Sequence, residues 1–268
     1  MDRAGTIPLR RLLDPRLAHA AARQPLDDAV NIPFDELPSR THELPPASQP
    51  IRVAAVDESA EFAQRWLTDH GRHAEICPAF KFTGAPQQPG RLWSPCAFLE
   101  SALPEIQGRA ALDLACGVGR DAVYIAACGW DVVAIDWLPD ALERGRSLAA
   151  RYPQLLGNIE WRRVDLEAED TQPPDGRRFD LITCFRFLHR PLLARLHEWL
   201  APRGVLLVET FTTLHRARHG KPARDAHVLS PGELRDLLRD LDLLQFDEGW
   251  HGGTHSARVL ARRRQLGL

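Results

Sequence analysis

The chain has 268 residues, of which 44% are hydrophobic and 26% are charged, and its formal net charge is −2 at pH 7. This composition is that of a globular protein with a packed core, and the length allows one large domain or two small ones. The near-neutral charge gives no general attraction to nucleic acid or to an anionic membrane. No apolar run approaches the about 20 residues that a membrane-spanning helix needs.

The N-terminus and the cysteines predict a cytoplasmic protein. The first residues lack the long apolar core of a signal peptide. The five cysteines are odd in number and form no Cys-x-x-Cys pair. We therefore expect reduced thiols rather than a disulfide set or a zinc site.

Residues 1–78 form the first predicted domain. A short strand ends in Asp14-Pro15-Arg16, and it is followed by Ala29-Val30-Asn31-Ile32-Pro33 and Glu36-Leu37-Pro38-Ser39-Arg40. A strand over residues 51–56 and a helix over 60–70 come next. The order of these segments resembles a rhodanese domain over about residues 8–76, and a generic small α/β domain is the alternative.

The rhodanese resemblance implies a reactive cysteine that this chain does not have. The chemistry needs a thiolate in the loop after the central strand, where this sequence has Asp57-Glu58-Ser59. The nearest cysteine, Cys77, comes after the following helix. We therefore expect a catalytically inactive rhodanese-like module without sulfurtransferase activity.

Residues 79–108 are predicted to be a linker that ends in a short helix. The stretch from Thr83 to Gly90 is rich in proline and glycine, which interrupt helices and strands. Ser94 is a suitable N-cap, with Pro95 at the first helical position.

Residues 109–268 alternate between strand and helix patterns. Strands are predicted near 110–114, 131–136, 159–164, 179–185, 204–211, 242–249 and 256–263, and helices near 120–128, 139–151, 190–200 and 231–240. This alternation predicts an α/β fold with an open, mostly parallel, seven-stranded sheet covered by helices. Ligands of such sheets bind at the carboxyl ends of the strands, where Asp113, Asp136, Asp165 and residues 184–186 are placed.

The turn after the first of these strands carries the pattern Asp113-x-Ala115-x-Gly117-x-Gly119. Glycine permits close approach of a ligand to the backbone, and an acid at the tip of the next strand, Asp136, suits a ribose diol. Two acids beside the turn would repel a pyrophosphate but suit a ligand with an ammonium group and a sulfonium. An ordinary tight turn between strand and helix is the alternative.

This pattern resembles the first motif of class I S-adenosylmethionine (SAM) methyltransferases, which have a Rossmann-like fold. The resemblance implies that Asp113 lies near the ammonium of SAM, that Asp136 holds the ribose and that Trp137 packs on the adenine. The implied cofactor-binding residues are Asp113, Ala115, Gly117, Gly119, Asp121, Asp136, Trp137, Asp165, Leu166 and Phe185. For Asp121 a favourable position at a helix N-terminus is an equal explanation, and Trp137 could be simple packing.

The segment Phe185-Arg186-Phe187-Leu188-His189-Arg190 is similar to the tellurite-resistance-type branch of small-molecule methyltransferases. Glu209-Thr210-Phe211 and residues 227–234 fit the same branch. The resemblance implies that Arg186, His189 and Arg190 are catalytic and face the transferred methyl group. The arginines could hold an anionic acceptor and His189 could remove a proton; packing or solvation at the start of the next helix is the alternative.

The segment from Thr212 to His227 concentrates histidine, arginine and lysine and is predicted to be a loop over the pocket. It could be a cationic lid or an ordinary solvated loop. Its histidine spacing does not match a metal site, and we expect no metal.

The leading hypothesis is a SAM-dependent methyltransferase that acts on a small molecule, with a chalcogen, sulfur or other soft nucleophile as acceptor. The alternatives are a non-catalytic SAM-binding regulatory protein and a nicotinamide-dependent oxidoreductase. The expected partner is a small-molecule methyl acceptor, without nucleic acid or membrane, and a homo-oligomer is left open.

Overall fold

The computed structural model describes residues 7–85 and 87–264. The chain divides into two compact units, Thr6–Ser94 and Pro95–Leu268. The boundary falls inside the segment 79–108 that the sequence predicts as a linker. The first six residues, which supplied the argument against a signal peptide, lie outside the described residues.

The N-terminal unit is built on a four-stranded parallel sheet in the order β2-β1-β3-β4. Its elements are β1 (Leu12–Asp14), α1 (Ala18–Arg23), β2 (Ala29–Asn31), β3 (Ile51–Ala54), α2 (Ser59–Asp69) and β4 (Ala74–Cys77). Helix α2 buries Ala60, Ala63 and Leu67, spaced three and four residues apart. This spacing places them on one face of a helix, which packs on the sheet.

Two buried ion pairs, each between residues two or three positions apart, lie in this unit. Asp14 and Arg16 are 2% and 3% exposed, and Arg16 donates from Nε to Oδ1 (2.9 Å) and from Nη2 to Oδ2 (2.8 Å). Arg40 makes a similar two-bond contact with the buried Glu43 and a third bond to Glu36. The pairs satisfy charges that would otherwise be costly to bury.

The C-terminal unit contains a seven-stranded sheet in the order β10-β11-β9-β8-β5-β6-β7. The strands β5 to β9 run parallel, and β10 and β11 form an antiparallel edge. The strands are β5 (Ala110–Leu114), β6 (Asp131–Asp136), β7 (Ile159–Arg163), β8 (Phe179–Phe185), β9 (Leu200–Phe211), β10 (Leu241–His251) and β11 (Thr254–Arg263). The helices are α3 (Ala97–Ala102), α4 (Arg120–Ala127), α5 (Pro139–Ala150), α6 (Arg190–Trp199), α7 (Thr213–His219) and α8 (Glu233–Leu237).

The central strands β5, β6 and β8 are almost entirely buried, as their continuous apolar sequences require in a sheet with helices on both faces. The chain leaves β5 towards β6 and β7 on one side, whereas β8 and β9 lie on the other. The order therefore reverses between β5 and β8, and ligands of such sheets bind at this switch point.

Two sequence predictions differ from the structure. The leading helix α3 begins at Ala97, with Cys96 rather than Ser94 at the N-cap position, because the Cys96 N–H is bound by the Asp121 carboxylate (2.6 Å). Part of the segment predicted as a loop after β9 is the helix α7. This helix ends at His219, and the φ of 70° at Gly220 suits the residue after a helix.

Among residues 7–85 and 87–264, no helix combines the length and the apolar character needed to cross a membrane.

Replacing Arg16 by leucine is predicted to lower the free energy of unfolding of the N-terminal unit by about 3–5 kcal/mol. The substitution leaves the Asp14 carboxylate buried without its partner. The matched control is Arg10→Leu, because Arg10 makes a 4.0 Å contact with the half-exposed Asp28 and a long 3.5 Å bond to the Gln88 carbonyl, and such exposed ion pairs contribute about 0–1 kcal/mol. Chemical denaturation of the two variants measures the difference, and equal losses would contradict a special role for the buried pair.

Candidate functional site

The turn after β5 has a left-handed backbone at three positions. Ala115, Gly117 and Gly119 have φ values of 53°, 54° and 73°. The turn is fastened by bonds from the Cys116 N–H to the Ile135 carbonyl and from the Gly119 N–H to the Cys116 carbonyl, both 2.9 Å. It therefore holds its shape without a ligand.

The two glycines of the turn face different surroundings. A Cβ on Gly119 would lie 2.3 Å from the Trp161 ring, and the same ring lies 2.5 Å from a Cβ on Gly145. A Cβ on Gly117 would meet no atom within 4 Å. Gly119 is therefore required by packing inside the protein, whereas Gly117 borders open space in which a ligand can approach the backbone.

Asp113 is a buried carboxylate at the carboxyl end of β5. It is 2% exposed, and its Oδ1 accepts a bond from the Thr183 hydroxyl (2.8 Å) on the neighbouring strand β8. In the described part of the chain, its Oδ2 is buried and makes no hydrogen bond of standard geometry, although the backbone N–H of Ala122 is near enough to lower the pKa of the carboxyl. Burial, followed by the negative charge of Asp121, raises the pKa of Asp113 well above its usual value. Such a group is suited to a cationic ligand that supplies the missing partner.

Asp136 is fixed at the end of β6 by two backbone donors. Its Oδ2 accepts from the Gly117 N–H (2.8 Å) and its Oδ1 from the Leu138 N–H (2.9 Å). The carboxylate thus connects the turn after β5 to the tip of β6. Each oxygen still has a free lone pair, since a carboxylate oxygen accepts about two bonds.

The remaining predicted cofactor residues near β6 and β7 differ in exposure. Trp137 is 53% exposed, and the Arg163 guanidinium lies 4.4 Å from its ring centroid. The end of β7 is joined to β6 by a bond from the Val164 N–H to the Asp136 carbonyl. After it, Leu166 is 5% exposed, whereas Asp165 is exposed and caps the Glu167 N–H.

On the other side of β5, a hydrogen-bond network links α3 to α4, β9 and β11. Asp121 accepts from the Cys96 N–H, and the Cys96 thiol donates to Glu209 Oε2 (3.3 Å). Glu209 Oε1 accepts from Ser256 (2.8 Å) and Arg258 (3.0 Å). Burial and the nearby acids raise the pKa of Cys96 to about 12, so the thiol stays protonated.

Cys96, Thr183, Ser256 and Arg258 were not among the site residues predicted from sequence. A polar Thr183 within the apolar strand β8 is a signal that sequence analysis could have used. The other three lie far from their partners along the chain, and no local pattern marks them.

Arg186 and Arg190 have different environments. Phe185 is the last residue of β8, and Arg186 follows with a φ of 59° and a bond from its N–H to the Glu209 carbonyl (2.7 Å). Within the described residues, the exposed Arg186 guanidinium has no hydrogen-bond or ion-pair partner. Arg190 instead pairs with Glu233 and donates to two backbone carbonyls. Its charge fastens α6 to the start of α8 rather than facing an acceptor.

His189 lies at the N-cap position of α6 without capping the helix through its side chain. Its Nδ1 is buried and has no partner among the described residues. No group of three or more histidine, cysteine or acidic side chains in residues 7–85 and 87–264 is arranged to hold a metal ion.

Replacing Gly119 by alanine is predicted to destabilise the protein by about 2–5 kcal/mol, because left-handed strain adds to the collision with Trp161. Gly117→Ala, which has the same backbone strain but open space, should cost only about 1–2 kcal/mol. Denaturant unfolding compares the pair directly. A Gly117 variant as unstable as the Gly119 variant would show that the space beside the turn is not open.

Comparisons with known proteins bear on this unit. Residues 111–204 match the family described as a methyltransferase domain. The mitochondrial ubiquinone biosynthesis O-methyltransferase of Schizosaccharomyces pombe is 32% identical over 127 residues, which cover 46% of this chain and 45% of that protein. The malonyl-[acyl-carrier protein] O-methyltransferase of Halalkalibacterium halodurans is 29% identical over 111 residues, covering 38% and 39%. The chain thus spans less than half the length of either relative.

Among solved structures, TehB from Haemophilus influenzae superposes with a TM-score of 0.51 at 21% identity, covering 62% of each chain. At this identity the likeness concerns the fold alone. The sheet order, the open turn after β5 and the acids at the tips of β5 and β6 agree with the family match. The C-terminal unit therefore contains a class I SAM-dependent methyltransferase domain, whose cofactor is SAM.

Proposed function

We propose that the chain is an enzyme that transfers a methyl group from SAM to a small molecule carrying an oxygen nucleophile. The observation that carries the proposal is Asp113, a buried carboxylate with one unpartnered oxygen at the switch point of the sheet. A dinucleotide pyrophosphate would place negative charge beside this acid and Asp121. The ammonium and sulfonium of SAM place positive charge there, which the site favours.

The residues present fit the parts of SAM. Asp113 would hold the ammonium, and Asp136 would accept bonds from the ribose hydroxyls with its free lone pairs. Gly117 would admit the ligand to the backbone, and Trp137, Leu166 and Phe185 would offer apolar surface beside Asp165. Asp121 is already bound by the Cys96 N–H, so we assign it to fastening α3 beside the cofactor.

When bound, SAM supplies an electrophilic methyl group, and its transfer is a displacement in line with the leaving sulfur. The main task of the chain is then to hold and align the two reactants, since alignment can lower such a barrier by roughly 7–11 kcal/mol at best. The end of β8, beside β5, is where we place the acceptor. Arg186 would bind its anionic part, and His189 would accept a proton where the acceptor must lose one.

The choice of oxygen as the acceptor atom rests on the two O-methyltransferase relatives. A sulfur or other chalcogen nucleophile is the second candidate, supported by the resemblance of residues 185–190. The two alternative functions would give different results in binding and turnover measurements. A regulatory SAM-binding protein would bind SAM without turnover, and a nicotinamide-dependent oxidoreductase would bind NAD.

We also propose that the N-terminal unit is a degenerate rhodanese-like module. Its parallel sheet and the Asp14–Arg16 pair support this proposal, together with the two bonds from the Asn31 amide to the Asp14 and Arg16 carbonyls. After β3, Asp57 accepts two bonds from Ser59, and no cysteine is available there to carry sulfur. Oligomerisation, lid formation and substrate delivery are the roles left to such a module.

Asp113→Asn is predicted to weaken SAM binding by about 1.5–3 kcal/mol, the scale of a hydrogen bond to a charged group. The same change should stabilise the ligand-free protein at high pH. Because the folded-state pKa of Asp113 is raised, its stabilising contribution is complete below the unfolded pKa of about 4 and is lost as the pH rises through the folded pKa.

Thermal unfolding of the two ligand-free proteins from pH 4 to pH 8 tests this linkage, and calorimetry with SAM tests the affinity. The wild type should lose stability relative to Asp113→Asn as the pH increases. If the stabilities of the two proteins change with pH in parallel, burial does not raise the pKa of Asp113 in the folded state.

The methyl-transfer proposal is tested with wild-type protein and paired acceptors that separate oxygen from sulfur. The oxygen acceptors are catechol and 3,4-dihydroxybenzoate, and the sulfur acceptors are 2-mercaptoethanol and mercaptoacetate, with selenite as a further chalcogen. Release of S-adenosylhomocysteine measures turnover, identification of the methylated product shows whether oxygen or sulfur was the acceptor atom, and calorimetry compares SAM, S-adenosylhomocysteine and NAD. Arg186→Ala should raise the KM of the anionic acceptors and leave SAM affinity nearly unchanged.

SAM binding without any turnover would favour the regulatory alternative, whereas tighter binding of NAD would favour the oxidoreductase. Unchanged KM values in the Arg186→Ala variant would show that the acceptor does not bind at the end of β8.

A further inference from the structure

Helix α7 holds the imidazole of His215 in one orientation. The ring stacks on Phe211, with centroids 4.5 Å apart and an interplanar angle of 25°. On its other side lies His219, at 4.6 Å. Phe211 is the last residue of β9, so the stack fixes His215 directly over the carboxyl end of that strand.

A backbone hydrogen bond determines which nitrogen of His215 can act as a donor. The His255 N–H donates to His215 Nδ1 at 3.3 Å, so the neutral ring carries its proton on Nε2. Within the described residues, Nε2 has no hydrogen-bond partner and is not buried. Nε2–H is therefore a positioned donor that is open to a ligand.

The same ring is held neutral. Burial lowers the pKa of His215, and the neighbouring charges of His219, His255 and Arg186 lower it further. Since the Nδ1 lone pair is occupied by the His255 N–H, the neutral ring is a hydrogen-bond donor rather than a base.

His215 follows β9 and Arg186 follows β8, and these two strands are parallel neighbours whose carboxyl ends share one edge of the sheet. Arg186 acts electrostatically on His215 and on Asp121, the acid that opens α4. The Arg186 N–H is bound to the carbonyl of Glu209, two residues before the stacked Phe211. The imidazole donor and the guanidinium thus belong to the same end of β8 and β9.

We propose that His215 Nε2–H and the Arg186 guanidinium together bind an anionic oxygen of the methyl acceptor, which makes the substrate a small organic acid. This inference rests on the proposed methyl transfer. One donor is a fixed neutral N–H and the other is a mobile cation, a combination that suits a carboxylate. An acceptor without an anionic oxygen would leave both groups unused.

Two substitutions of His215 separate its two nitrogens. His215→Gln extends its amide to about where Nε2 lies and keeps a donor, whereas His215→Asn reaches only to about Nδ1. Leu214→Ala is the matched control, because Leu214 is on the same helix and 51% exposed. The probes are the pairs catechol with 3,4-dihydroxybenzoate and 2-mercaptoethanol with mercaptoacetate, and in each pair only the second member carries a carboxylate.

We expect the wild type to prefer the carboxylate-bearing member of a pair by about tenfold or more in kcat/KM. His215→Asn should lose that preference through a higher KM for the acid, with SAM affinity unchanged. His215→Gln should keep most of the preference, and Leu214→Ala should keep all of it.

The outcomes separate this inference from the function on which it rests. A wild type that methylates no probe would overturn the methyl-transfer proposal and this inference with it. A wild type that is active but favours the neutral probe would overturn only the assignment of an acid substrate to His215 and Arg186. The assignment would also be overturned if the His215→Asn variant keeps the preference for the carboxylate-bearing probe. It would be overturned too if the His215→Gln variant loses this preference to the same extent as His215→Asn.

Discussion

The buried carboxylate of Asp113 is the constraint on which the rest of the C-terminal site depends. One oxygen is bound by Thr183 and the other has no partner in the described part of the chain. Leaving such a group unsatisfied costs free energy, so the ligand-free fold carries a penalty that a cation can remove. Asp121 increases the penalty by adding negative charge nearby. This environment favours a positively charged ligand, which is why we propose that Asp113 holds the ammonium of SAM.

A second constraint positions the acceptor side relative to this acid. The contacts from Asp121 through Cys96 to Glu209, and from Glu209 to Ser256 and Arg258, join α4, α3, β9 and β11. Because the Cys96 thiol stays protonated, it serves as a donor in this network and not as a nucleophile. The network fixes the ends of β9 and β11, which lie on one side of β8, and the Arg186 N–H is bound to the Glu209 carbonyl of the same β9.

The parts that sequence analysis predicted correctly are those encoded by short-range patterns. The apolar runs of β5, β6 and β8 and the small residues of the turn lie where the patterns indicated. Side-chain contacts between residues far apart in the sequence could not be predicted from such patterns. Sequence analysis predicted that Arg190 binds the methyl acceptor together with Arg186, whereas in the structure its side chain pairs with Glu233, 43 residues away. The helix α7 was missed because its cationic sequence resembles a solvated loop, while its packing depends on Phe211 and on β11, which only the folded sheet brings together.

The buried ion pairs of the N-terminal unit contrast with polar groups of the C-terminal site that have no protein partner among the described residues. In the N-terminal unit, Arg16 and Arg40 satisfy Asp14 and Glu43 with two bonds each, so these charges are used within the fold. In the C-terminal unit, the Asp113 oxygen, the Arg186 guanidinium and His215 Nε2 are left without protein partners in the described residues. Polar groups without a protein partner do not stabilise the free protein, and they gain hydrogen-bond or ion-pair partners only when a ligand binds. The acid lies at the tip of β5 and the two donors at the ends of β8 and β9. In the function that we propose, the acid would bind the sulfonium donor and the two donors would bind an acidic acceptor, so the unsatisfied groups would divide the site into a cation-binding half and an anion-binding half.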